Sequence, residues 1–182
     1  MTVRLPIWSK AIASGDANLV GFAADIKMRS ESDLSNIAKG LPEGVTLCIP
    51  LLIAGLPHIE GVLKQAAEYW NRRLQLARNR SIDLLMRVTC QKQIADAVQL
   101  SGLARTSAVV VFGLVDPAFN VEAMLNDLLF KLGGAVAQED LLVLADDKVR
   151  YLKKVHSLPE WIRTDQIVPI LLERAVLLAF SK

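Results

Sequence analysis

The sequence predicts an α+β fold: a single domain over residues 1–182 in which a small mixed or antiparallel sheet packs with several helices. Three observations carry this. The runs "GVTLCI" and "SAVVVFGLV" are apolar, rich in β-branched residues and free of charge, as strands covered on both faces are. Between and after them lie stretches whose apolar residues recur at the helical period, the longest being "PHIEGVLKQAAEYWNRRLQLAR". No repeat, low-complexity run or composition break marks a linker. A chain of 182 residues is long enough to bury a core without disulfides or metal.

The elements follow in order. Asp16 to Asp25 reads as a first strand, and "RSESDLSNIAKG" as a short capped helix stopping at Gly40. "GVTLCI" is the second strand. The long helix follows, with Pro57 in its first turn, where a missing N–H costs nothing. Its core side is Ile59, Val62, Leu63, Ala66, Ala67, Trp70, Leu74 and Ala77, opposite Glu60, Lys64, Glu68, Asn71, Arg72 and Gln75. "IDLLMRV" reads as a strand. Thr89 or Cys90 then opens a helix with Ile94, Ala97 and Val98 as its core stripe and Gly102 as its left-handed stop. "SAVVVFGLV" is the next strand, ended by Asp116-Pro117. "NVEAMLNDLLFKLGG", Glu139 to His156 and Asp165 to Phe180 read as helices.

Composition narrows the function classes. Hydrophobic residues make up 52% of the chain and mean hydropathy is +0.34, so the excess must be hidden in the core or against a partner. "VTLCIPLLIAGLP" is broken by Pro50, Gly55 and Pro57, and "IVPILLERAVLLAF" by Glu173 and Arg174. Neither has the roughly 20 uninterrupted apolar residues of a membrane span. The first residues lack an export-signal core, and a cytoplasmic location is expected. Cys48 and Cys90 are too few for a disulfide framework and are expected to be reduced, mostly buried thiols.

Candidate chemistry is sparse. His58 and His156 lack metal-ligand spacing and suit surface or capping roles. Glu139-Asp140 and Asp146-Asp147 are adjacent pairs, which point about 100° apart on a helix and so form no acid/base dyad. No phosphate-loop, dinucleotide or nucleophile-elbow motif occurs. The expectation is a protein that is not an enzyme and takes no cofactor, no metal and no small-molecule substrate.

Two features remain. Between Lys64 and Lys92 lie Lys64, Arg72, Arg73, Arg78, Arg80, Arg87 and Lys92 against only Glu68 and Asp83. Such a patch neutralises phosphates and gains salt-sensitive, sequence-independent affinity, although a solvated helix face carries the same charges. Tyr69 and Trp70 lie beside it; Trp70 falls on the apolar side and is expected in the core. The second feature is the last helix, where only Glu173 and Arg174 interrupt a run of apolar residues. A helix apolar nearly all round must be enclosed by the core or covered by a partner.

Segments carrying these features resemble a known family. The helix with Ala66-Ala67 and a basic end, the loop Arg78 to Ser81, Asp83 before Leu84-Leu85-Met86, Gln93-Ile94-Ala95-Asp96-Ala97, and Gly102-Leu103 occur in the order seen in the PRPK-binding protein family. The closing "IVPILLERAVLLAF" is similar to that family's last apolar helix. Members are the small non-catalytic subunit of the KEOPS complex, which makes threonylcarbamoyladenosine in transfer RNA. The resemblance implies a Bud-type atypical kinase subunit as partner, covering Leu171, Leu172, Ala175 and Leu178 as the exposed side of the last helix. It implies contact with the CCA tail of transfer RNA through Lys64, Arg72, Arg73, Arg78 and Arg80, with the unit Leu84 to Leu103 as scaffold. A protein-interaction module that activates a kinase-like partner without binding RNA is the alternative, and a small enzyme the third.

Overall fold

The computed structural model describes residues 7–15, 17–133, 136–137 and 143–181 and has an α+β fold. Its strands are β1 (Trp8–Ser14), β2 (Ala17–Ser32), β3 (Val45–Cys48), β4 (Thr106–Val115) and β5 (Val136–Ala137). They pair antiparallel in the order β1-β2-β4-β3, with β5 against Ile26 and Lys27 of β2. Trp8 faces Ala23, Val20 faces Val115 and Val45 faces Gly113. The single first strand expected from Asp16 to Asp25 is therefore a hairpin. Gly15, at φ +57°, turns the chain between β1 and the longer β2, and Asp16 lies outside the described residues.

The middle of the sheet, β3, most of β4 and residues 21–26 of β2, is buried on both faces, which is why β4 is continuously apolar, while the edge strand β1 leaves Ser9, Lys10, Ala11 and Ala13 exposed. Val109, Val111 and Val115 point into one cluster with Phe22, Ile26, Leu47, Leu125 and Leu128; Val110, Phe112 and Leu114 point into another with Ile59, Leu63, Ala66, Leu84 and Val88. Helices α1 (Ser35–Lys39) and α5 (Val121–Lys131) cover the first face. Helices α2 (Leu56–Asn71), α3 (Arg80–Thr89) and α4 (Ile94–Leu100) cover the second. Outside these, α6 (Asp146–Val155) and α7 (Thr164–Leu177) close a third cluster of Ala54, Leu152, Leu158, Ile162, Ile167 and Leu171.

Further expectations about elements change. "IDLLMRV" is not a strand but most of α3: Asn79 caps it by accepting from the Ile82 N–H at 3.1 Å, and Asp83 reaches Arg87 one turn on. Residues 83–89 are all buried, so the helix is apolar nearly all round and looks, over seven residues, like a buried strand. Thr89 and Cys90 end this helix instead of opening the next; the Thr89 hydroxyl bonds back to the Leu85 carbonyl, and Cys90 takes the left-handed conformation. In α4, Ala97 alone is buried, while Ile94 and Val98 of the expected core stripe stand about half exposed at 50% and 48%. The expected stop at Gly102 is present, at φ +70°.

The helix expected over Glu139 to His156 is shorter, starting at Asp146; residues 138–142 lie outside the described residues, and Glu139-Asp140 with them. α7 is followed by a 3-10 turn over Leu178–Phe180. Ile167, Leu171 and Ala175 are fully enclosed against α2, α3 and α6, so the core takes most of this helix's apolar surface. α7 approaches α2 closely at Gly61, where a Cβ would lie 2.5 Å from the Leu172 side chain. No helix among the described residues is long and apolar enough to cross a membrane.

Candidate macromolecule-binding corner

The corner is built on Asp83. Its carboxylate is fully buried and accepts from three elements: the Trp70 Nε1–H of α2 at 3.1 Å, the Leu76 N–H of the following loop at 2.5 Å, and the Arg87 Nε–H of α3 at 2.7 Å. One side chain thus ties the basic loop 72–79 to both flanking helices. Arg87, read from sequence as part of the charged patch, is 0% exposed. Its guanidinium lies 4.6 Å from the centre of the Tyr69 ring, and Nη1 and Nη2 have no hydrogen-bond partner among the described residues. A buried guanidinium held this way depends on its carboxylate and on the aromatic face beside it.

The end of α2 sets the direction of the arginines. The Arg73 N–H bonds the Trp70 carbonyl and the Leu74 N–H bonds the Tyr69 carbonyl, the pair of bonds of a Schellman motif. Its left-handed position, usually glycine, is Arg73 at φ +57°. With no glycine to signal the stop, the sequence pattern runs on to Arg78, whereas the helix ends at Asn71; Leu74, expected in the core, is 51% exposed. Arg80 lies with its guanidinium carbon 5.0 Å from the centre of the Trp70 ring, and Trp70 is buried as expected.

The predicted basic residues do not form one cluster. Lys64 shares Glu60 with Lys10, at 2.7 and 2.6 Å, nearly two turns before the end of α2. Those two ammonium groups hold the Glu60 carboxyl below the usual carboxylate range. Arg72 pairs with Glu68 at 2.5 Å. Arg73, Arg78 and Arg80 are exposed and make no ion pair among the described residues. They follow α2 on the loop and at the first residue of α3.

The last helix reaches the same corner. Gln65 Nε2 donates to the Leu172 carbonyl at 2.9 Å, and the Tyr69 and Phe180 rings meet edge-on with centres 6.5 Å apart. From the first meeting to the second the chain advances along α2 and along α7 into the 3-10 turn that follows it, so the two helices run in the same direction. The expected exposed side of α7 needs correction. Leu171 and Ala175 are 0% exposed, and Leu172 and Leu178 only partly exposed. The outward residues are Glu173, Leu177 at 53% and Phe180 at 68%. The helical period left the choice of side open, and packing on α2 and α3 decides it.

The histidines are buried and not on the surface, and of the two roles expected His156 takes the capping one, at the C-cap of α6. His58 is fully buried, its Nδ1 accepting from the Ala54 N–H at 3.2 Å, so Nε2 carries the proton of the neutral ring. Burial, with His156 nearby, pushes its pKa down to about 3. His156 is driven down to about 4 by burial and Arg174, whose Nη1 donates to the His156 carbonyl. Cys48 and Cys90 are free thiols, each pushed by burial up to about 12. Among the described residues no group of three or more His, Cys, Asp or Glu side chains could hold a metal ion. A cleft of about 380 Å³ between α1, β3, α3 and α4 is lined by Leu47, Ile82, Leu85 and Val98, with Lys39 as its one charged residue.

No protein-family model matches the chain, and no curated protein matches it.

Proposed function

We propose that the protein is a non-catalytic accessory subunit of the KEOPS complex, binding the Bud-type kinase subunit and contacting the CCA tail of transfer RNA. The observation that carries this reading is the convergence of two features far apart in sequence. The arginine-bearing end of α2 and the apolar end of α7 meet at Tyr69 and Phe180. Phe180, exposed, meets Tyr69, and exposed Arg72, Arg73 and Leu74 follow Tyr69 within five residues, so apolar surface of the kind a protein interface core uses stands at the helix end that carries charge attractive to a phosphate backbone; Leu177 is exposed three residues before Phe180. The ordered segments of the resemblance support the assignment, although the segment opened by Asp83 is a helix here instead of a strand.

The kinase subunit is assigned to Leu177 and the neighbouring partly exposed Leu178 of the last helix, in place of the enclosed Leu171 and Ala175. The tail of the transfer RNA is assigned to Arg72, Arg73, Arg78 and Arg80, with Lys64 as a peripheral contact tempered by Glu60. Transfer of the threonylcarbamoyl group belongs to another subunit. The test is a reconstitution with purified Bud-type kinase and transfer RNA. Leu177→Asp should abolish co-elution with the kinase, and Arg72→Glu with Arg78→Glu should weaken a gel shift while leaving co-elution intact. Co-elution unaffected by Leu177→Asp would contradict the protein half of the proposal, and a gel shift unaffected by the charge reversal would contradict the RNA half. The alternative, a kinase-activating module without RNA, predicts the first effect alone.

A further inference from the structure

We infer that Phe180, braced by Tyr69, is the stacking platform for an unpaired base of the RNA, an inference that rests on the RNA half of the proposed function. Single-stranded nucleic acid is held by aromatic faces on which bases stack, beside cations that follow the backbone. Three exposed aromatic sites compete for that role. Trp161, 76% exposed, stands beside Glu160 and near the Arg163–Asp165 pair; Phe130, 86% exposed, adjoins the Asp127–Lys131 pair on the far face of the sheet. Their neighbouring cations are already matched by carboxylates. Phe180 alone meets a ring, Tyr69, that stands at a helix end leading into Arg73, which is exposed and has no ion pair among the described residues; Arg72 between them is matched by Glu68.

The second reason is preorganisation. Asp83 fixes Arg87, Arg87 lies under the Tyr69 ring at 4.6 Å, and Tyr69 meets Phe180 at 6.5 Å with the ring planes 73° apart. The ladder starts from a wholly buried carboxylate and ends in a ring 68% exposed. A ring already held in place loses little rotamer freedom when a base settles on it, so more of the stacking energy appears as affinity. Phosphates on either side of that base would then fall within reach of the arginines, which tolerate any sequence because they read no base edge.

The test uses the full-length protein and a single-stranded oligoribonucleotide ending in CCA, with 2-aminopurine replacing the terminal adenine. Stacking quenches 2-aminopurine fluorescence. Wild-type protein should bind and quench it. Phe180→Ala should lose the quenching and weaken binding by about five- to hundredfold, with an unchanged salt dependence. Phe180→Tyr should restore both. Tyr69→Leu, which removes the brace and keeps the bulk, should reduce quenching in between. Equal quenching and affinity for wild type and Phe180→Ala would overturn this inference and leave the arginine contacts standing. So would a Phe180→Ala protein that releases the kinase subunit yet quenches the oligonucleotide normally. A wild-type protein that binds no single strand at any salt concentration would remove the RNA half of the proposed function and this inference with it.

Discussion

At Arg73 the proposed contact with RNA and the stability of the fold pull in opposite directions. A non-glycine residue in the left-handed region costs about 1 kcal/mol, and nothing in the packing around Arg73 offsets it, since its side chain is exposed. Arg73→Gly should therefore raise stability by about that amount in a urea titration, while lowering affinity for RNA. A variant that gained stability and kept its affinity would show that Arg73 serves only the turn. Asp83 behaves in the opposite way. Asp83→Ala leaves Arg87 buried with no counter-charge and frees the Leu76 and Trp70 donors, which should destabilise the fold by about 3–5 kcal/mol. Urea denaturation would register it as a lower midpoint, and a midpoint close to wild type would contradict the hub role.

The two buried histidines contribute a pH dependence to stability. Each has a folded pKa below its ordinary value near 6.5, so between those values the unfolded chain binds more protons than the folded one. Stability is fully present above about pH 6.5 and falls as the pH drops toward 4, by up to about 1.4 kcal/mol per pH unit for each ring. Thermal melts of His58→Gln and of the wild type between pH 7 and pH 4.5 should converge as acidity rises. Parallel curves would mean that His58 is not the titrating group.

At the scale of elements, legibility followed the number of residues that disclose a period. β4 could be read because Val109 to Val111 are β-branched and the run carries no charge; the long helix could be read because its apolar stripe persists over four turns. α3 could not, because Leu84, Leu85, Met86 and Val88 form a short apolar block on a helix buried on all sides. One signal was available: Asp83 and Arg87 stand four apart, a spacing that joins opposite charges on a helix and places them on the same side of a strand without contact. Two helix ends were hidden for a shared reason: Arg73 and Cys90 occupy left-handed positions where glycine is the usual mark, whereas the end of α6 is read from sequence at His156 although Ser157 after it is left-handed too. Capping supplies a check on α3, since Asn79→Ala removes the acceptor for the Ile82 N–H and should cost about 1 kcal/mol in a chemical melt. No change would imply that packing alone starts this helix.

The last helix sets the relation between apolar excess and partner. Its composition demands cover, and α2, α3 and α6 provide most of it, leaving Leu177 and Phe180 as the exposed remainder. A substitution Leu171→Asp would therefore report on folding, whereas Leu177→Asp reports on binding. The sequence disclosed that this helix needed covering, and only tertiary packing could say which side the core would take.

For the molecule as a whole, the fold explains how residues more than 100 positions apart come to act together. Parallel packing of α2 and α7 delivers Tyr69 and Phe180 to one corner, and Asp83 holds the arginine loop against it. The basic patch of the sequence becomes a smaller feature: Arg87 withdraws into the core, Lys64 shares Glu60 with Lys10, Arg72 pairs with Glu68, and Arg73, Arg78 and Arg80 are left exposed without an ion pair among the described residues.

Whether this corner receives transfer RNA is decided by a salt titration of binding to transfer RNA with an intact CCA end. For the wild type, log K should fall linearly with log salt. Arg72→Glu with Arg78→Glu should both weaken binding and flatten that line, by about 0.7 for each phosphate of the unpaired strand that is no longer neutralised. Binding that is absent, or a line with the same slope and position for the reversed protein, would contradict the account.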